Sequence, residues 1–144
     1  MSDIVSRQKR SEMMSGIKGK NTKPEMLVRK ALHRKGFRFR LHRRDLPGKP
    51  DIVLGKYRTV VFVNGCFWHG HDCHLFKWPK SNPDFWVKKI NDTVARDRSC
   101  RDSLEKAGWN VITVWECSLR NLPNDDINDA LDALSVEIRK NIDT

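Results

Sequence analysis

The chain has 144 residues, with 28 Lys/Arg against 18 Asp/Glu and a formal charge of +10 at pH 7. That length suits one compact domain with its own hydrophobic core and is too short for two ordinary ones. No charge-free stretch approaches the roughly 20 apolar residues of a membrane helix, and the polar, basic start lacks a signal peptide's apolar segment, so a cytoplasmic protein with no membrane partner is expected. Residues 1–50 carry 15 Lys/Arg against four Asp/Glu, a net of +11, which leaves the other 94 residues at −1. Such one-sided charge suits a polyanion whose phosphates it neutralises. A basic surface kept for solubility is the plainer alternative.

Residues 1–20 mix Ser, Gly, Lys and Arg with a Met13-Met14 pair and little apolar periodicity, the composition of an arm that orders on a partner. Thr22-Lys23-Pro24-Glu25 has the form of a capping box, and Leu27, Val28, Ala31 and Leu32 recur on one face until Gly36, predicting a helix over 22–35. Phe37, Phe39 and Leu41 alternate with Arg38, Arg40 and His42, the period of a strand with a cationic outer face. The turn Leu46-Pro47-Gly48-Lys49-Pro50 precedes Asp51 and the apolar run Ile52-Val53-Leu54. A second turn over 55–58 and a buried strand over Thr59-Val60-Val61-Phe62-Val63 complete a hairpin. A helix is predicted from Ser81-Asn82-Pro83-Asp84 to Ala107, stopped by Gly108, then a strand over Val111–Trp115 and a closing helix with the stripe Ile127, Leu131, Leu134 and Ile138. Helix followed by buried strand implies a mixed, partly parallel sheet flanked by helices, an α/β fold.

Between the hairpin and the long helix lies Gly65-Cys66-Phe67-Trp68-His69-Gly70-His71-Asp72-Cys73-His74, denser in thiols, imidazoles and aromatics than core packing demands. In a reducing compartment the four cysteines read better as metal ligands or free thiols than as disulfides. Cys66, His71 and Cys73 suit tetrahedral Zn²⁺, with a fourth ligand to come from Cys100, Cys117, His69 or His74. Cys117, just past the last strand, is favoured over mid-helix Cys100, which suits a small buried hydrophobe. Three thiolates and an imidazole form a closed shell, hence a structural zinc, and His69 is left for other work. Asp51, held at the start of a buried strand, is placed to ligate a hard cation such as Mg²⁺, or simply to cap its turn. Glu25 is accounted for by the capping box, and a carboxylate there can also face the sheet and hold a water of that ion. At 100° per residue Asp97 falls on the stripe of Ile90, Val94 and Leu104, so it needs a partner, either a histidine of the cluster or Arg101. Phe67, Trp68 and Trp86 are core candidates by composition. Their setting beside Lys77, Lys80, Lys88 and Lys89 also suits a wedge driven between stacked bases.

Taken together, these residues resemble the very short patch repair DNA mismatch endonucleases over nearly the whole chain. The likeness rests on the arm with Met14, Glu25, the Leu46–Asp51 turn, the Gly65–Cys73 segment, Phe85-Trp86, Arg96-Asp97-Arg98, and Gly108-Trp109 through Val114-Trp115-Glu116-Cys117. It implies the fold of type II restriction endonucleases, as an endonuclease domain over 21–144 preceded by a basic arm over 1–20. It further implies Asp51 on a catalytic Mg²⁺ together with the Val63 backbone carbonyl, Glu25 acting through a water of that ion, and His69, oriented by Asp97, assisting proton transfer in a two-metal in-line displacement. Cys66, His71, Cys73 and Cys117 match the structural zinc site. Phe67, Trp68 and Trp86 match a wedge entering beside a T:G mispair from the major groove, with Met14 on the other side. The substrate implied is double-stranded DNA bearing a T:G mispair left by deamination of 5-methylcytosine, nicked on the thymine strand. The enzyme is expected to act as a monomer, cytoplasmic and nucleoid-associated when on DNA, alongside repair-pathway proteins. Two departures stand out. Asn64 occupies a position where members often carry a histidine, and as Asn cannot act as a base, more falls to His69. The restriction-type pattern of carboxylate, one residue and Lys is also missing at Val63-Asn64-Gly65.

Overall fold

The computed structural model describes residues 22–120 and 122–141. The arm over 1–20 and its Met14 lie outside the described residues. Helix α1 (Lys23–Arg34) starts as its sequence requires: Thr22 has extended backbone, its Oγ1 accepts from the Glu25 N–H at 3.3 Å, and Pro24 sits in the first turn. Gly36, at φ +87°, ends it in the left-handed region that glycine enters without strain.

Four strands follow: β1 (Arg40–Leu41), β2 (Ile52–Leu54), β3 (Thr59–Asn64) and β4 (Asn110–Trp115). They lie in the order β1-β2-β3-β4, the first two pairings antiparallel and the last parallel. Strand β1 is shorter than the alternation from Phe37 predicts. Its partner β2 has three residues and offers only Val53 and Ile52 to Arg40 and Leu41. Phe37 is spent on the core instead, 5% exposed and tilted against Tyr57.

Helix α2 (Pro83–Lys106) makes the crossover from β3 to β4, and helix α3 (Asn124–Lys140) closes the chain. Side-chain alternation divides the sheet between two cores. Ile52, Leu54, Val61 and Ile112 meet Val28 and Leu32 of α1 and Leu131, Leu134 and Ile138 of α3. Val53, Val60 and Val111 meet Leu104 of α2 on the opposite face. The result is a helix, sheet, helix sandwich, and β2 is buried along its whole length because both faces are covered. No helix among the described residues is long and apolar enough to cross a membrane.

This topology gathers the chemistry at one end of the sheet. Strand β3 runs antiparallel to β2 and parallel to β4, so the start of β2 at Asp51, the end of β3 at Asn64 and the end of β4 at Trp115 emerge together.

Candidate metal centres and aromatic surface

Two clusters of metal-ligating side chains hang from that end. In the first, the ligand atoms of Cys66, His71, Cys73 and Cys117 lie within 4.8 Å of one another. The loop leaving β3 brings three of them together by a tight turn: the His71 N–H donates to the Cys66 carbonyl at 2.9 Å, and Gly70 supplies φ +61°. A Cβ at Gly70 would come within 2.8 Å of Ile90 Cγ2, so the loop lies directly on α2. Cys117 arrives on the short 3₁₀ turn Glu116–Ser118 after β4, its N–H donating to Cys66 Sγ at 3.3 Å and its Sγ 3.6 Å from His71 Nδ1. The His71 ring stacks on Trp115 at 4.0 Å, while Glu116 accepts from the Cys66 N–H and from Arg120.

Burial pushes the Cys66 thiol up to about 12 and raises Cys117 as well. At Cys73 burial acts upward too, but hydrogen bonds from the Leu75 backbone and the neighbouring thiols outweigh it and the pKa falls. The hydrogen bonds among the three sulfurs favour only Cys73 as a thiolate, whereas a divalent cation such as Zn²⁺ would deprotonate all three and close a tetrahedron. The donor set fits a closed structural site. The other fourth-ligand candidates lie elsewhere: Cys100 packs against Gly48, His74 is exposed, and His69 faces Asp97.

The second cluster joins Glu25, His42 and Asp51, again within 4.8 Å. Glu25 is 1% exposed, and its carboxylate accepts from Arg29 at 3.3 Å and lies 2.9 Å from His42 Nε2. The capping-box position thus places its side chain toward the sheet end, while its backbone N–H serves the helix start through Thr22 Oγ1. Asp51 accepts from the Val63 N–H at 2.7 Å and stands 3.9 Å from His42 Nε2. Burial, with the Glu25 carboxylate adding to it against the Val63 and His42 contributions, pushes the Asp51 carboxyl up to about 6. A divalent cation beside Asp51 and Glu25 would relieve the unfavourable charge at Asp51, so the residues fit a hard-cation site.

His42 was expected on the outer face of a strand. Instead β1 ends at Leu41, and His42, at φ +49°, leaves the alternation to put its ring over the carboxylates. No spacing in the sequence signals this, because the backbone departure depends on where β1 pairing stops.

His69 and Asp97 meet as well, Nδ1 to Oδ2 at 2.5 Å, while Arg101 pairs with Glu105. A carboxylate that only accepts pairs with the Nδ1–H tautomer of the ring, which leaves the lone pair on Nε2. Asp97 lies at the edge of its stripe and not within it: the side chain is 40% exposed, so the pairing with His69 is not needed to rescue a buried charge.

Phe67, Trp68 and Trp86 form one aromatic cluster, with ring centroids 5.1 to 5.8 Å apart. It extends further than the sequence reading anticipated. Phe76 packs on Phe67 and on Trp78, and Phe85 on Trp86, leaving Trp78 and Phe85 51% and 57% exposed. The alternation Phe76-Lys77-Trp78 directly after the cysteine-histidine run was the available signal.

Comparison with known proteins places the chain in a family. The family described as DNA mismatch endonuclease Vsr matches residues 2–75. The chain is 54% identical over 121 residues to the type II nicking enzyme V.NmeAIP of Neisseria meningitidis serogroup A, covering 84% of this chain and 86% of that relative. It is 49% identical to the type II nicking enzyme V.XorIIP of Xanthomonas oryzae, covering 85% and 90%. To the DNA mismatch endonuclease Vsr of Escherichia coli K12 it is 42% identical, covering 83% and 77%. A family match over half the chain, and relatives this similar along most of their length, lead to one conclusion: the chain belongs to the DNA mismatch endonuclease Vsr family.

Proposed function

We propose that this chain nicks the thymine-bearing strand at T:G mispairs in double-stranded DNA, such as those left by deamination of 5-methylcytosine, and so opens very short patch repair. The observation that carries this reading is the convergence of Asp51 and Glu25 with the His69–Asp97 pair and the aromatic cluster at one end of the sheet. Asp51 would hold Mg²⁺, with Glu25 acting through one of its waters, and the Val63 carbonyl is available beside them, since a strand residue sends its N–H and C=O to the same edge and the Val63 N–H already meets Asp51. When bound, Mg²⁺ supplies Lewis-acid polarisation of the scissile phosphodiester and neutralises charge on the attacking and leaving oxygens.

The remaining steps belong to the protein. His69 Nε2 takes the proton of the attacking water, and Asp97 holds the ring in the tautomer that makes this possible while stabilising the imidazolium that forms. Zn²⁺ at Cys66, His71, Cys73 and Cys117 would clamp the loop carrying Phe67, Trp68 and His69 to the end of β4. Phe67, Trp68 and Trp86 then enter the base stack beside the mispair, at a cost of about a few kcal/mol of unstacking. The basic arm over 1–20, with Met14, would grip the opposite groove of the duplex bound by the endonuclease domain over 21–144. A restriction-endonuclease-like sandwich suits this division of labour, with catalytic groups at one sheet end. A cytoplasmic monomer working on the nucleoid beside other repair proteins completes the reading.

The test is a nicking assay on two otherwise identical duplexes, one fully paired and one bearing a single T:G mispair, with Mg²⁺ and with Asp51→Ala as control. Selective nicking of the thymine strand that Asp51→Ala abolishes is expected. Equal nicking of the paired duplex would leave a nickase without mismatch selection, and no cleavage with any divalent ion would leave a DNA-binding module.

A further inference from the structure

We propose that His42 is a ligand of the cation centre, so that an imidazole joins the Asp51 carboxylate on the ion, beside Glu25. This inference rests on the reading of Asp51 as a cation ligand. The ring stands where a ligand must stand. An octahedral shell with bonds of about 2.1 Å places neighbouring ligand atoms about 3.0 Å apart and opposite ones about 4.2 Å apart. His42 Nε2 lies 2.9 Å from Glu25 Oε2, close to the spacing of neighbouring ligands, and 3.9 Å from Asp51 Oδ1, somewhat short of the spacing of opposite ones.

The chain also holds the ring there against a local preference. His42 has φ +49°, a left-handed conformation that non-glycine residues adopt only at a cost. Its N–H donates to the Asp51 carbonyl at 3.1 Å, which ties the backbone of the two residues together. Among the described residues, the ring's hydrogen-bond and ion-pair partners are the two carboxylates. The side chain is 22% exposed, enough to leave an approach from solvent while its Nε2 faces inward.

One nitrogen donor changes the ion the centre prefers. Mg²⁺ takes oxygen ligands and parts reluctantly with its waters, whereas imidazole suits the first-row transition ions. The centre should therefore bind Mn²⁺ or Co²⁺ in preference to Mg²⁺, by a margin that His42 sets.

The experiment titrates Mn²⁺ into zinc-loaded full-length protein and follows it by electron paramagnetic resonance, with electron spin echo envelope modulation to detect directly bound nitrogen. Wild type should show nitrogen modulation, and His42→Gln should lose it, bind Mn²⁺ about tenfold or more weakly, and hold its Mg²⁺ affinity. Absence of nitrogen modulation in wild type, which needs no variant to fold, overturns the proposal. So does its persistence in His42→Gln. If Asp51→Asn leaves Mn²⁺ binding unchanged, the cation centre itself is misassigned and both readings fall, whereas loss with Asp51→Asn but not with His42→Gln removes only the role of His42.

Discussion

The two ligand clusters sit at the same end of the sheet and are built on opposite principles. Cys66, His71 and Cys73 come from a single turn, and only Cys117 is recruited from a distance, so the cysteine cluster is a local loop stapled to a strand end. Glu25, His42 and Asp51 come from a helix start, the residue after a two-residue strand and the residue before another, so their cluster exists only once the sheet and α1 have docked. The first cluster has a full complement of protein ligands and little reason to admit a substrate atom. The second offers three, leaving positions for water and phosphate. A closed site can contribute to folding, and an open one stores unfavourable charge until its ion and substrate arrive.

The largest expected effect tests the closed site. Cys117→Ser should lower bound zinc from one per chain to a small fraction. Apparent binding energies of structural zinc in small domains are about 10–16 kcal/mol, and even a modest share of that lost should lower Tm by more than about 10 °C. Unchanged zinc content by metal analysis, or unchanged Tm, would mean that the cluster is only packed thiols. Because Phe67, Trp68 and His69 ride on this loop, nicking should fall with the zinc.

Asp97→Asn tests the open site's neighbour more gently. The His69 ring loses its ionised partner while side-chain size is retained, so kcat for nicking should fall about 10- to 100-fold with KM, zinc content and Tm held. An equal rise in KM would make Asp97 a DNA contact rather than a positioning residue. Next in size is Trp68→Ala. Base stacking on an aromatic is worth about 1–3 kcal/mol, so affinity for mispaired duplex should drop about 10- to 100-fold while affinity for paired duplex changes less. Equal losses on both duplexes would assign Trp68 to the loop's packing against Phe67 and Trp86 instead.

The same contrast decides what was legible in the sequence. Helix α1, the long helix and α3 follow from apolar spacing and stop signals, and the cysteine cluster from residue types packed into one turn. Asp97 could be phased to its helix face, and His69 was one of two partners that phase allowed. The Glu25–His42–Asp51 cluster was only partly legible. Each carboxylate had a local explanation, as cap or turn residue, and nothing local brought them together. Alternation points His42 outward because it assumes that a strand continues. Strand β1 does not continue, since β2 is too short to pair with it, and the left-handed turn at His42 begins where that pairing ends. Ends of elements are set by tertiary partners, which periodicity does not contain.

The smallest effect separates the clusters most sharply, because removing a ligand should act in opposite directions. Burial first, and then the Glu25 carboxylate, raise Asp51 from 3.8 to about 6. The fold therefore favours the neutral acid and binds more protons than the unfolded chain between those values. Stability from this group is present in full below about pH 4 and is lost as pH rises to about 6. A shift of that size corresponds to at most about 3 kcal/mol of unfavourable energy at neutral pH. Asn in its place carries no charge and can still accept from the Val63 N–H through its amide oxygen. In zinc-loaded, magnesium-free protein, Asp51→Asn should therefore be more stable than wild type by about 1–3 kcal/mol at about pH 7, with the difference shrinking toward zero near pH 4.5. Denaturant unfolding at the two pH values measures both quantities. A variant less stable than wild type at neutral pH, or a difference independent of pH, would show that Asp51 contributes to folding as the cysteines are expected to. With saturating divalent cation the order should reverse, since the ion stabilises only the protein that can bind it.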